Sequence, residues 1–362
     1  MKRQIKTLLT LAAMLFVNQF SFAGATEDLW AALKGANYPN ALTAIAAGAD
    51  VNNLDKTFGT PLNFASCWAD ASVVKTLIDA KSDVNFIAPA NKFTPIMNAA
   101  QWGNTEAVKL LLAAGSDLKV KNIIGQTVLA TAVIGAKLEI VKMITDAGAD
   151  PNEKFKVGAT ELNLLVSMNQ VKSPEEEIVY IQTVSKSLAS LGVTFPNRLK
   201  NAKANDYSTL EDLTKYLLDK GLSPNQTIGG TWGSLIFQST ELGKTGVALA
   251  LINAKADMEV TGMIKGEHDV LYNVTPIMMA SLKGNNELVE ALCKAGANVN
   301  FVSTQMESGS KVNVGGNLGS MIYWKTTTKN TALSLATANG HPDTAALLQK
   351  YGGLGPKDVK KK

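Results

Sequence analysis

The chain has few residues of the types that usually carry out chemistry: 2 His and 2 Cys among 362 residues. His268 lies between Glu267 and Asp269, and His341 lies in an Asn-Gly-His-Pro segment. Three adjacent side chains on one turn cannot all face a single metal ion, and no other Cys or His has ligand spacing from them. The sequence therefore predicts no metal and no cofactor, a solvated turn at 267–269 and a structural role for His341.

The sequence does not support nucleophilic catalysis either. A Cys–His pair needs both side chains beside a third orienting group, and Cys67 is far along the chain from both His. Gly315, Gly316 and Gly319 are not followed by a helical pattern, so they do not form a phosphate loop. We expect no enzyme. A hydrolase with a site beneath the long segment 301–330 is the remaining catalytic alternative.

Composition and charge favour a folded protein that does not bind nucleic acid. Hydrophobic residues make up 46% of the chain and charged residues 18%, a composition typical of globular proteins. Of the 35 basic residues, three lie in residues 1–25 and four in the tail 356–362, which also holds one of the 31 acids. The remaining body has 28 basic and 30 acidic residues and lacks the basic excess of a nucleic-acid-binding protein.

The N-terminal segment 1–25 has the pattern of a secretory signal peptide. A positive start precedes an apolar run at 8–17, and small residues follow at Ser21, Ala23 and Ala25. The run is too short to span a bilayer, which takes about 20 apolar residues. We expect cleavage after Ala23 or Ala25 and export to the periplasm, with full secretion as the alternative. The mature chain should have no membrane span.

The rest of the chain is repetitive. An apolar helix end, a Gly-like position and a small–Asp/Asn–apolar–Asn turn recur at Gly48, Lys81, Gly115, Gly148, Gly192, Gly221, Lys255, Gly296 and Gly352. The spacings are 33, 34, 33, 44, 29, 34, 41 and 56 residues. A Thr-x-apolar opening follows most of these turns, at Thr60, Thr94, Thr127, Thr160, Thr275 and Thr331. Thr is a good N-cap, Pro is tolerated at the first helical position, and Gly supplies the left-handed C-cap.

On these two signatures the sequence resembles the ankyrin-repeat family, whose period is about 33 residues with a Thr-Pro-Leu-His opening. The resemblance implies an all-α solenoid of about nine repeats over 26–355, without catalytic activity. It also implies a protein partner held by the concave inner helices and the finger loops. The motif His is replaced throughout, so we expect less regular finger turns; the residues in its place are Asn63, Met97, Ala130, Asn163, Met278 and Ser334.

Three regions depart from the plain repeat. The stack should be irregular around 165–210, where the spacing stretches to 44 and then shrinks to 29 residues. Two segments extend the finger side: 259–274, which reads as a hairpin about Gly266, and 301–330, which has β-rich ends and a Gly/Ser/Asn middle. They belong to consecutive repeats and should lie side by side. The basic tail 356–362 follows the last repeat.

Candidate partner-binding residues lie mainly in these extensions, because Met and aromatic residues are enriched at interface cores. They are Tyr272 in the first, and Met306, Met321, Tyr323 and Trp324 in the second. Trp102 with segment 86–93, and Trp232 in a Gly-rich finger, are further candidates. The segment 301–330 is either a partner-binding flap or an ordered decoration packed on its own repeat.

The expected function is non-catalytic binding of another protein by a monomer. A scaffold would use weak contacts along many fingers. An inhibitor or immunity protein would use one desolvated hot spot, centred on Tyr323 and Trp324. Cys67 and Cys293 lie six repeats apart, and stacked helices step by roughly 8–10 Å, whereas a disulfide needs Cα atoms within about 7 Å. We therefore predict two free thiols, with Cys293 buried.

Overall fold

The computed structural model of the chain describes residues 24–135, 137–153, 210–226, 234–265, 269–313 and 320–359. The chain divides into two compact units, one formed by residues 1–156 with 171–213 and the other by 157–170 with 214–362. The predicted signal segment up to residue 23, the irregular region 165–209, Thr160, His268 and Trp232 lie outside the described residues.

In the first unit the helices come in pairs. Residues 24–34 form α1. They are followed by α2 (Tyr38–Ala46), α3 (Pro61–Trp68), α4 (Ala71–Asp79), α5 (Pro95–Gln101), α6 (Thr105–Ala113), α7 (Val128–Ile134) and α8 (Leu138–Asp146). The inner helices α3, α5 and α7 pack side by side, and the outer helices α2, α4, α6 and α8 form a second row. This two-row stack confirms the predicted repeat solenoid.

Small residues allow the inner row to pack closely, while branched residues fill the space between rows. Ala65, Ala99 and Ala132 are buried on the inner helices. A Cβ on Gly135, just after α7, would collide with the carbonyl oxygen of Ala100 on α5. The outer helices bury aliphatic stripes at the helical spacing of three to four residues, namely Val73, Val74 and Leu77; Val108 and Leu111; and Ile140, Val141 and Ile144.

The Thr openings begin helices as predicted, but they do not all cap in the same way. Thr60 accepts from the Asn63 N–H, and Asn63 bonds back to the Thr60 N–H, which completes a capping box. Thr127 accepts from the N–H of Ala130. Thr94 and Thr275 are buried without a side-chain cap bond.

A ladder of Asn side chains ties each of the first two turns to the turn that follows it. Asn52 Nδ2 donates to the Lys81 carbonyl at 3.2 Å, and its Oδ1 accepts from the Asp83 N–H at 2.8 Å. Asn85 repeats both bonds one repeat later, to the Gly115 carbonyl and the Asp117 N–H. An amide can donate and accept at once, so one residue per turn satisfies two backbone groups of its neighbour.

The second unit contains most of α9 (Leu210–Asp219) and three helix pairs. These are α10 (Leu235–Glu241) with α11 (Thr245–Asn253), α12 (Pro276–Leu282) with α13 (Asn286–Lys294), and α14 (Ala332–Ala338) with α15 (Pro342–Lys350). Ser234 caps α10 by accepting from the Phe237 N–H. Sequence reasoning missed this opening because it sought Thr, although Ser is an equally good N-cap.

The two finger extensions form one antiparallel sheet in the order β1-β2-β3-β4. The strands are β1 (Gly262–Lys265), β2 (Asp269–Val274), β3 (Ser303–Asn313) and β4 (Ser320–Asn330). β2 pairs with β3, so the extensions do lie side by side as predicted. The sequence predicted β structure only at the two ends of the second extension. Its strands are longer than this, at 11 residues each, and extend into the Gly/Ser/Asn-rich middle.

Both thiols are free, as predicted, but the expectation that Cys293 is buried was wrong. Cys67 is the buried one, on inner helix α3, and Cys293 is half-exposed. On α13 the buried stripe is Leu288, Val289 and Leu292. Cys293 follows Leu292 by one residue, and one helical step turns a side chain by about 100°, which carries the thiol to the margin of the stripe.

Candidate protein-binding surfaces

Three consecutive finger loops of the first unit stand beside one another. We call residues 53–59 finger 1, 86–93 finger 2 and 120–126 finger 3. A Cβ added to Gly59 would lie 3.2 Å from the Ala88 Cβ, which places finger 1 against finger 2. The Ile123 N–H donates to the Asn91 carbonyl at 3.0 Å, which joins finger 3 to finger 2. The three loops therefore form one surface.

Exposed aliphatic side chains concentrate on this surface. Among the described residues five large hydrophobic side chains are exposed, and four of them lie on these fingers. They are Leu54 (48% exposed), Ile87 (46%), Ile123 (53%) and Ile124 (61%), which we call the finger row. The fifth, Leu354, follows the last helix pair. Single exposed apolar residues need no explanation, whereas a group on adjoining loops is typical of an interaction site.

Finger 1 is held in place by α1. Lys34 Nζ lies 3.0 Å from Asp55 Oδ2 and 5.4 Å from the ring centroids of both Trp30 and Phe58. Trp30 Nε1 donates to Asn53 Oδ1 at 3.1 Å. Burial alone would raise the pKa of Asp55, but the Lys34 ammonium and two backbone N–H groups outweigh it, so that the pKa is lowered. The loop is therefore fixed before any partner arrives, which reduces the entropy lost on binding.

At two positions where the motif His is replaced, a short polar side chain bonds to the backbone of a finger turn or of the helix start that follows it. Asn63 occupies the His position on α3, and its Nδ2 donates to the Phe93 carbonyl of finger 2 at 3.2 Å. In the last repeat Ser334 bonds back to the Thr331 N–H at 2.9 Å.

The structure places Trp102 among aromatic rings rather than on the finger row. Trp102 follows α5 and is half-buried, with its ring edge-on to Trp68 at 5.4 Å between centroids. Trp68 in turn packs against Phe64 on α3 at 5.4 Å, and Phe64 packs against Trp30 at 6.0 Å. Such pairs stabilise packing by about 0.5–1.5 kcal/mol each, which ties α1, α3 and α5 together beneath the fingers.

The remaining sequence candidates that the structure describes lie on the sheet of the second unit. Tyr272 on β2 is half-buried and stands opposite Met263 and Thr304. Met306 on β3 stands opposite Val270 and Thr326. On β4, Met321 is opposite Val312 and Trp324 opposite Ser308, while Tyr323 falls at a register shift between them. The register places Met306 near Tyr272, whose partner is Thr304, whereas Met321 pairs with Val312, farther along β3. Trp102 belongs to the first unit.

Several titratable groups in the described residues have pKa values that are shifted by burial or by a neighbouring charge. Burial raises the pKa of the Cys67 thiol, and partial burial with the nearby Glu290 raises that of Cys293 to about 11. Desolvation raises the pKa of Glu241, partly offset by Lys283. The ring Nε2 of His341 lies 3.0 Å from the Leu282 carbonyl of the preceding repeat, in keeping with a structural role.

Neither a metal cluster nor a membrane span is found within the described ranges. No group of three or more His, Cys, Asp or Glu side chains there could hold a metal ion. None of the helices described there is both long enough and apolar enough to cross a membrane.

Sequence reasoning located part of the finger row. Segment 86–93, which contains Ile87, was a candidate, but Leu54, Ile123 and Ile124 were missed. The signal that could have found them is their position between an Asn/Asp-rich turn and a Thr opening, where repeat packing gives an aliphatic side chain nothing to cover it.

Comparison with known proteins agrees with this architecture. A family model described as ankyrin repeats in three copies matches residues 29–122 and 62–155, and the single ankyrin repeat matches residues 272–304. A comparison with curated protein sequences finds no match. Among 466 matching chains of solved structure, the crystal structure of the human ASB11 ankyrin repeat domain superposes with a TM-score of 0.51 at 16% identity.

That superposition covers 82% of this chain and 99% of the human domain, and at this identity it concerns the fold alone. Ankyrin repeats are generally modules for protein–protein interaction, typically without catalytic activity. With the paired helices, the recurring turns and the family matches in agreement, the chain is an ankyrin-repeat protein.

Proposed function

We propose that this chain is exported to the periplasm and there binds one partner protein through the finger row of its first unit. The observation that carries the proposal is the concentration of four half-exposed aliphatic side chains on three adjoining loops. The signal-like pattern of residues 1–25 supports export. The rigid attachment of finger 1 through Lys34 and Asp55 supports a preformed binding surface.

The contribution of the finger row to the binding free energy can be worked out from the exposed fractions of its four side chains. Burying a whole Leu or Ile side chain contributes about 2 kcal/mol. The finger-row residues are each about half exposed, so each adds roughly 1 kcal/mol on binding and the four together about 4 kcal/mol. Removing them should weaken the complex about 10³-fold, which is the effect expected of a hot spot.

The test replaces all four finger-row residues with Ser in the full chain and compares capture from a periplasmic extract. Leu354→Ser is the matched control, since Leu354 is also exposed (41%) but lies outside the fingers. We expect one stoichiometric partner with the parent chain and with the control, and about 10³-fold weaker binding by the finger-row variant. Equal affinity of parent and finger-row variant, with unchanged helical circular dichroism, would refute the proposal.

The same experiment separates an inhibitor from a scaffold. An inhibitor or immunity protein gives a single partner whose activity falls as the complex forms. A scaffold gives several partners, each losing little affinity when one finger residue is replaced. Because four anchors sit on one surface, the inhibitor is the form of the proposal that we favour. Release of the chain by osmotic shock, without cell lysis, tests the periplasmic location.

A further inference from the structure

Lys92, near the end of finger 2, has a backbone conformation that suits glycine better than lysine. Its φ is +59°, in the left-handed region where a Cβ crowds the following carbonyl oxygen. Fingers 1 and 3 have glycine in this region near their ends, Gly59 with φ +81° and Gly125 with φ +87°. Glycine has no Cβ and adopts such angles without strain. Finger 2 therefore keeps a side chain at a place where its two neighbours have none.

Nothing in the described part of the chain accounts for that side chain. Lys92 is exposed, and its ammonium makes no ion pair or hydrogen bond there. Its backbone N–H donates to the Ala88 carbonyl at 2.8 Å, a bond that glycine would make equally well. Lys81 and Lys255 also have positive φ, but each follows an outer helix, where the helix dipole favours a cation. Lys92 lies in a loop where no helix ends, so the strain kept there points to a contact outside the chain.

Lys92 lies beside the finger row. Asn91, the residue before it, accepts from the Ile123 N–H at 3.0 Å, so Lys92 adjoins finger 3 where Ile123 and Ile124 are exposed. The apolar residues at the centre of a protein interface are usually bordered by a polar rim. The position of Lys92 is that of a rim residue next to apolar anchors.

The unpaired charges on the three fingers are both positive. Ion pairs neutralise Asp55 and Lys121, at 3.0 Å and 2.7 Å from their partners. Lys56 and Lys92 are the remaining charged residues of the fingers, and both are exposed. The turn aspartates precede the fingers in the chain, and each accepts a backbone N–H from the residue two positions on; they are Asp50, Asp83 and Asp117. The fingers thus offer two ammonium groups to a partner, and their one carboxylate is already bound.

We infer that the partner of the finger row carries Asp or Glu side chains beside its apolar contact residues, and that Lys92 binds one of these carboxylates, with Lys56 as a second contact. The inference rests on the proposed function and names the chemistry of that partner. Aliphatic contacts supply affinity. The two lysines speed association with an acidic surface and discriminate against a basic one.

The test uses the full chain and two fluorescein-labelled amphipathic helical peptides of equal length. Both have the same leucine face, and they carry either Glu or Lys along its margins. Helices suit the row, because two helical turns rise about 11 Å and neighbouring repeats step by roughly 8–10 Å. Fluorescence anisotropy measures affinity at several salt concentrations. We expect the parent chain to bind the Glu peptide about tenfold more tightly than the Lys peptide, with a difference that shrinks as salt rises.

Three variants assign the effect to Lys92. Lys92→Glu should weaken the Glu peptide about tenfold and strengthen the Lys peptide, because it replaces an exposed ion pair with a repulsion. Lys81→Glu is the matched control and should change neither affinity, since Lys81 is also exposed with φ +69° but lies outside the fingers. Lys92→Gly should weaken the Glu peptide roughly threefold without lowering the thermal midpoint, because glycine relieves the left-handed strain.

Cross-linking locates the contact directly. A water-soluble carbodiimide joins neighbouring amines and carboxylates, and it should attach the Glu peptide at Lys92 or Lys56. The inference is overturned by cross-links only at lysines outside the fingers, by equal effects of Lys92→Glu and Lys81→Glu, or by a parent chain that does not bind the Glu peptide. A lowered midpoint of Lys92→Gly with unchanged binding would give Lys92 a structural role and would overturn it too.

The finger-row variant with four Ser replacements separates this failure from failure of the proposed function. If that variant loses the Glu peptide while Lys92→Glu keeps it, the finger row stands as a binding surface and the assignment of Lys92 to an acidic partner is wrong. Equal capture of the periplasmic partner by the parent chain and by the finger-row variant overturns the proposed function, and the inference with it.

Discussion

Asn104 should be among the residues on which the stability of the first unit depends most, because one side chain serves two helices. Its Nδ2 donates to the Ser66 carbonyl at 3.2 Å and to the Ala69 carbonyl at 3.1 Å, at the end of α3. Its Oδ1 accepts from the Ala107 N–H at the start of α6. Carbonyls at a helix C-terminus and N–H groups at an N-terminus lack partners within their own helices, and Asn104 supplies both.

The loss of folding stability caused by Asn104→Ala can be worked out from those hydrogen bonds. Asn104 is 1% exposed, as is Ala69, and Ser66 is fully buried. Leaving a buried polar group unsatisfied costs about 1–3 kcal/mol, and losing an N-cap costs about 1 kcal/mol. With the two carbonyls taken near the middle of that range and the lost N-cap added, the substitution should lower the free energy of unfolding of the first unit by about 5 kcal/mol.

Urea unfolding followed by tryptophan fluorescence measures this effect, since Trp30, Trp68 and Trp102 report on the first unit. The matched control is Asp70→Ala, because Asp70 is the exposed N-cap residue of outer helix α4 in the same unit but makes no side-chain cap bond. It should change stability by less than about 0.5 kcal/mol. Asn104→His should recover part of the loss, as His341 contacts the preceding repeat from the same position.

The reasoning would be refuted if Asn104→Ala and Asp70→Ala destabilised the first unit equally. The same conclusion would follow if the Ala variant unfolded within about 1 kcal/mol of the parent, which is less than one orphaned buried carbonyl costs at mid-range.

Three further predictions concern other parts of the chain. Lys119→Asn should add the ladder bonds that the third turn lacks and stabilise the first unit by about 1 kcal/mol, visible as a raised thermal midpoint; an unchanged midpoint would count against the ladder. With a pKa of about 11, Cys293 should react with a disulfide reagent slowly at pH 8 and faster as the pH rises, while buried Cys67 should react only on unfolding; equal rates would contradict their burial. N-terminal sequencing of the exported chain should show cleavage after Ala23, because Ala25 is 6% exposed within α1 and its loss would open the first repeat; an N-terminus at residue 26 would be the contrary result.

Much of the fold could be predicted because the repeat is built from local signals. Thr60-Pro61 and Thr275-Pro276 mark helix starts by N-cap and N1 preferences alone, and the structure begins α3 and α12 there. Local sequence signals could not predict which residues at the margin of a helix's apolar stripe are buried. Cys293 differs from buried Leu292 by one position, and only the packing of α13 on its neighbours decides which of the two is covered.

The sheet shows the same division between what chain order decides and what packing decides. Consecutive repeats had to place the two extensions side by side, and β2 does pair with β3. The lengths of β3 and β4, and the bulge at Thr327, depend on backbone pairing between residues up to 27 positions apart, such as Ser303 with Asn330. No local pattern in the sequence encodes that register.

The finger row, in contrast, follows from a sequence rule that the structure makes visible. In the first two turns the ladder residues Asn52 and Asn85 bond to the next repeat, and the residue two positions on, Leu54 or Ile87, is exposed.

In the third turn Lys119 replaces the ladder Asn, and Lys121 two positions on forms an ion pair with Glu153 at 2.7 Å. The apolar pair moves to Ile123 and Ile124, beyond Asn122, whose Oδ1 accepts from the N–H groups of Ile124 and Gln126. In all three turns an Asn occupied with backbone bonds is followed within two residues by an aliphatic side chain left to solvent. The polar residues that build the turn thus also fix where an apolar contact can be offered, and this links the stability of the repeats to the surface that we propose for binding.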